Sequence, residues 1–138
     1  MISNRILREN LKSQILKDSN VVREFDRVAQ EQFQKIKSKM LSAFENHQVT
    51  KDLESLGGSD LVPRGTLFGF LGFEKGDNPV QALRDILERG TTIRPGRIRM
   101  NQGERVYVAT IPTKDELYAA TPLPWAPGRS WLKAVEFG

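Results

Sequence analysis

NVVREFDRVAQEQFQKIKSKMLSAFE, residues 20–45, is the stretch on which the reading of the rest of the chain depends. Val21, Val22, Phe25, Val28, Ala29, Phe33, Ile36, Met40, Leu41 and Phe44 recur every three or four residues, which stacks them on one face of a 3.6-residue period. Arg23, Glu24, Arg27, Gln30, Glu31, Gln34, Lys35 and Lys37 cover the other face. The spacing predicts one long amphipathic helix with its apolar side on a core and its polar side in water.

Upstream, Ile6, Leu7, Leu11, Ile15 and Leu16 carry the same spacing behind a potential N-cap at Ser3, and Asp18-Ser19-Asn20 caps and turns well. A helical pair with a break is therefore expected at the N-terminus. Downstream the pattern decays from Asn46 through Asp52, and Gly57-Gly58-Ser59-Asp60 ends any helix, so this region reads as a loop. The loop continues into Leu61-Val62-Pro63-Arg64-Gly65, which matches a thrombin-cleavage insert except that Thr66 stands where serine would follow; a natural exposed loop is the preferred reading. The expected organisation is N-terminal helices over 1–56, a loop over 57–66 and an α+β portion over 67–138, all in one compact domain.

Leu67-Phe68-Gly69-Phe70-Leu71-Gly72-Phe73 is the most apolar segment and is expected to plug the core under the long helix. Asn78 as N-cap and Pro79 at the first helical position start a short helix over 79–89, with Val80, Leu83, Ile86 and Leu87 inward and Gly90 as a left-handed stop. The period then changes to two. Arg97 to Met100 and Arg105 to Ile111 predict an antiparallel hairpin closed by Asn101-Gln102-Gly103, with Gly103 at positive φ. Thr113 caps a short helix to Ala120, Pro122, Pro124 and Pro127 enforce an extended path, and a last helix is expected from Arg129 to Phe137. The fold class is α+β: an N-terminal helical pair, a short middle helix, a small antiparallel sheet in which one or two further strands extend the hairpin, and a C-terminal helix.

At 138 residues the chain is long enough for a core without staples, and it has no cysteine for disulfides, thiolate ligands or a thiol nucleophile. No apolar run suits a membrane span, and the N-terminus does not read as a secretory signal, which makes a cytoplasmic origin the default. The formal charge of +4 favours anionic partners only mildly. His47 is the sole histidine and sits in a polar tail, Asp115 and Glu116 diverge by about 100° on a helix, and the glycines fit no phosphate-binding loop. No catalytic, cofactor-binding or metal-ligating residue is singled out, and the chain is not expected to be an enzyme. The arginines offer more. Alternation puts Arg97 and Arg99 on one face, a surface for phosphate, for a partner's carboxylates, or simply for water, and Arg94 in the same turn-and-hairpin region is a further candidate interface residue. Tyr107 is the only aromatic nearby, too little for base stacking.

Pro124-Trp125-Ala126-Pro127-Gly128-Arg129-Ser130-Trp131-Leu132-Lys133-Ala134-Val135-Glu136-Phe137-Gly138 resembles the closing segment of small virion structural proteins of tailed bacteriophages. Leu67 to Phe73 and Asn78 to Leu87 resemble segments that precede it in those proteins, so the likeness covers about the second half of the chain. The resemblance implies a non-enzymatic neck, connector or tail-completion subunit of the virion. It would assemble as a homo-oligomeric ring that docks to neighbouring virion proteins; the arginines and net charge add non-specific contact with DNA as a further expectation, and the lack of an apolar run excludes membrane. The family carries no motif with a chemical role. Trp125, Arg129 and Trp131 are candidate interface anchors on physical grounds, as large aromatics and an arginine in a proline-stiffened segment, with core closure by the tryptophans as the competing reading. The alternative function is a small basic nucleic-acid-associated protein using the arginine hairpin; a hydrolase is disfavoured.

Overall fold

Asp18 interrupts the N-terminal helical pattern for a single residue. Helix α1 (Asn4–Lys17) ends there, and the Asp18 carboxylate accepts from Asn20 N at 2.9 Å, capping α2 (Ser19–Asn46). The computed structural model describes residues 4–55 and 66–137, so most of the expected 57–66 loop, with its thrombin-like sequence, lies outside the described residues. After α2 come α3 (Gln48–Ser55), α4 (Leu67–Phe70), α5 (Pro79–Gly90), strands β1 (Thr92–Arg99) and β2 (Glu104–Thr110), α6 (Lys114–Ala119), strands β3 (Pro122–Leu123) and β4 (Ala126–Ser130), and α7 (Trp131–Phe137). The mixed helix and sheet content is that of an α+β fold.

Three expectations need correction. Residues 48–55 are helical. His47 Nδ1 accepts from Val49 N at 3.2 Å, Gln48 bonds Asp52 one turn on at 2.7 Å, and Leu53 is buried, so capping and tertiary burial together stabilise a helix that the sequence pattern alone barely marks. Gly90 does not adopt positive φ; the helix runs through it into extended Thr91, and a Cβ there would lie 2.8 Å from Pro112 Cγ, so its role is close approach. The last helix starts at Trp131, since Arg129 and Ser130 belong to β4, and that strand pairs with β3 in a second two-stranded sheet of its own. Thr113 caps α6 and Gly103 takes φ 64° as expected, and Glu116 bonds back to Thr113 N to complete a capping box.

By contacts the chain divides into two compact units that do not follow sequence order: Met1–Lys37 with Thr92–Thr110, and Ser38–Thr91 with Ile111–Gly138. In the first, Leu16 is buried, Ser13 Oγ donates to Met100 O at 2.7 Å, and the Lys12 stem lies against Gly103 at the hairpin tip. Asp26 of α2 holds the hairpin itself. Arg105 donates to it through Nε and Nη2 at 3.0 and 3.2 Å, and Tyr107 Oη adds a bond at 2.8 Å.

The second unit contains the main core. Leu53, Phe68, Leu71, Val80, Leu83, Leu123 and Trp131 are buried together, with Phe44 of the long helix packed alongside. The Leu67–Phe73 segment thus serves the core as expected, through Phe68 and Leu71. Buried Thr121 and Ser130 hydroxyls bond each other at 2.7 Å, and Ser130 Oγ also accepts from Lys133 N, which caps α7. Arg84 of α5 ties down the end of α2 and α3 by bonding Glu45, at 2.9 Å through Nη2, and Glu54. That pairing raises the Arg84 pKa and keeps the Glu45 carboxyl below its ordinary range, mainly through the Arg84 hydrogen bonds.

Candidate functional site

Sequence reasoning treats α2 as a helix lying on a core, yet none of its residues is buried. Phe25, Val28 and Ile36 are exposed, Ile36 at 66%, while Val21, Val22, Ala29, Phe33, Met40, Leu41 and Phe44 are half-buried; Ile6, Leu7, Leu11 and Ile15 of α1 are exposed too. Periodicity identifies an apolar face correctly but cannot say whether the same chain covers it. The first unit therefore presents apolar side chains of both helices to its surroundings.

The second unit exposes aromatics. Leu123 pairs with Ala126, which leaves Pro124-Trp125 as a two-residue turn and puts the indole at its tip, 66% exposed and lying against Gly72. A groove of about 730 Å³ opens beside it, walled by Trp125, Pro127, Tyr118 and Phe137, with Arg129 and Lys133 on its rim. Phe137 is 71% exposed, and Phe70, at 83%, stands two residues before the glycine that Trp125 covers. Tyr118 donates its hydroxyl to Glu136, which raises the phenol's pKa, and Lys133 Nζ sits 5.7 Å from the Tyr118 ring centre. Lys114, first, and Tyr118 together hold the Glu136 carboxyl below its ordinary value. The Arg129 side chain makes no hydrogen bond or ion pair with the described residues, so its charge is available on the rim.

The six sequence-selected interface residues separate. Trp125 and Arg129 share the groove. Trp131 is 2% exposed and belongs to the core, because the Ser130 cap starts α7 there and the ring joins Phe68 and Leu123. Arg94, Arg97 and Arg99 are all exposed on β1. Sequence reasoning missed Phe137, Tyr118 and Lys133; the i, i+4 placement of Lys133 and Phe137 on α7 was the available signal.

Among the described residues no group of three or more histidines and carboxylates is placed to hold a metal, and no helix is long and apolar enough to cross a membrane. Comparison with protein-family models, with curated proteins and with solved structures finds no match to this chain.

Proposed function

We propose that this chain is a non-enzymatic structural protein of a tailed-phage virion, a ring-forming neck, connector or tail-completion subunit that works through protein–protein contacts. The observation that carries the reading is the pair of unlike apolar surfaces, one on each unit: the uncovered α1 and α2 side chains, and the Trp125–Phe137 groove. Two different surfaces on one chain suit a heterologous contact, in which one copy's first surface meets the next copy's second. Repeated through a closing rotation, such a contact makes a ring. The resemblance of Leu67–Phe73, Asn78–Leu87 and Pro124–Gly138 to segments of small phage virion proteins supplies the setting, with neighbouring virion proteins as further partners.

The test is quantitative mass spectrometry of density-purified particles, paired with native mass spectrometry of the purified chain. The reading expects a fixed copy number in the particle and a closed oligomer in solution that Trp125→Ala weakens. Absence from particles, together with a strictly monomeric chain, would refute it.

A further inference from the structure

A regular strand would not gather the hairpin's arginines. With strict alternation, position 94 falls on the opposite face from positions 97 and 99. The register shows why this hairpin differs: Pro95 pairs with Tyr107 and Ile98 with Arg105, so Gly96 and Arg97 together face Val106 alone. This bulge resets the alternation. Arg94 stands opposite Val108 and Arg99 opposite Glu104, both on the face of β2 that also carries Val106. Arg105 and Tyr107 occupy the other face and bind Asp26. All three arginines therefore leave the hairpin on the side turned away from Asp26. Gly96 permits the bulge, since a Cβ there would come within 3.1 Å of Val106 O.

The chemistry of this face is one-sided. The side chains of Arg94 and Arg97 make no hydrogen bond or ion pair with the described residues. Glu104 is the one carboxylate that the two strands place on this face, and Arg99 already stands 3.7 Å from it. The uncharged neighbours there, Val106 and Val108, are small and half-buried, so the face offers a protein partner no large apolar anchor. It offers bases no stacking platform either, because Tyr107 points away. The surrounding unit is strongly basic. It holds twelve of the 21 lysines and arginines and six of the 17 acidic residues, a formal +6 against −2 for the other unit.

We propose that the Arg94–Arg97–Arg99 face of the β1–β2 hairpin is a contact site for the phosphate backbone of a nucleic-acid duplex. Guanidinium forks match phosphate oxygens in pairs, and strand positions two residues apart lie about 7 Å from one another, close to the separation of successive phosphates. Contact of this kind is independent of base sequence and needs no apolar anchor. The site rests on charge and register and stands whether or not the chain builds a ring.

The experiment is fluorescence anisotropy of a labelled DNA duplex titrated with the full chain across a series of salt concentrations. The triple variant R94Q/R97Q/R99Q is expected to flatten the slope of log K against log salt by about 2.7, roughly 0.9 for each phosphate no longer neutralised. Lys51→Gln, at an exposed cation of the other unit that lines neither proposed surface, leaves the slope unchanged. Because the three side chains are exposed, the variant's circular dichroism should match wild type; a triple Arg→Lys variant, which retains the charge, should restore most of the slope. Absence of binding at low salt, the same slope in the triple Gln variant as in wild type, or equal displacement by poly-glutamate would overturn the proposal.

Discussion

Asp26→Ala removes the one carboxylate that receives both Arg105 and Tyr107, and it tests how the hairpin is held. Three bonds disappear: the Arg105 fork at 3.0 and 3.2 Å and the Tyr107 hydroxyl at 2.8 Å. Arg105 is left with Gly96 O at 2.7 Å. A bond to a charged group contributes about 1.5–3 kcal/mol where water is excluded. Here the Asp26 side chain is 31% exposed and that of Arg105 is 13%, so water takes over part of the missing bonding. A net loss of about 2–3 kcal/mol follows, below the cost of orphaning a fully buried charge. Hydrogen exchange reads this locally: protection of the β1 and β2 amides should drop on the order of 50-fold, at about 1.4 kcal/mol per tenfold. Amides of α5, in the other unit, serve as the internal reference. Unchanged hairpin protection, or an equal loss in α5, would refute the reasoning. The pH dependence has a definite sign. Arg105 first, then Tyr107, hold the Asp26 carboxyl below its ordinary value. The folded pKa is thus lower than the unfolded one, and the pair's contribution is complete above about pH 4 and disappears as pH falls through the lowered value.

Other expectations follow from the same geometry. Gly103→Ala should loosen the hairpin tip by about 2 kcal/mol or more, visible as reduced protection at the tip, because φ is +64° and the new Cβ would lie 2.3 Å from Lys12 Cβ. Trp131→Ala should lower the stability of its unit by about 3–5 kcal/mol in denaturant titration, whereas Trp125→Ala should cost under about 1 kcal/mol, one ring being core and the other exposed. Arg84→Ala should free Glu45 and Glu54 and weaken the docking of α3 by about 1–2 kcal/mol, measured as faster exchange of its amides.

Features set by local chemistry were legible in the sequence. Asn78-Pro79 begins α5, Thr113 caps the start of α6, and Gly103 takes positive φ, because each depends on residues within one turn of itself. Features set by distant contacts were not. Val49 and Leu53 are too few to signal α3 without the core they enter, and Gly90 looks like a helix stop until Pro112, far along the chain, is seen against it. The two tryptophans share proline-rich surroundings, and only the β3–β4 turn separates an exposed ring from a buried one. Arg97 and Arg99 could be paired by counting. Arg94 joins them through a bulge that counting cannot show.

The division of the chain into interleaved units has a consequence during synthesis. Asp26 and Arg105 are separated by 79 positions, and everything from Ser38 to Thr91 must be made before the hairpin that completes the first unit exists. The second unit waits longer, since its core residue Trp131 follows the hairpin in sequence. Neither unit closes early, so α1 and the first part of α2 emerge from the ribosome without the hairpin that completes their unit. A ribosome stalled before Thr92 would hold a chain with both units incomplete, a natural substrate for chaperones.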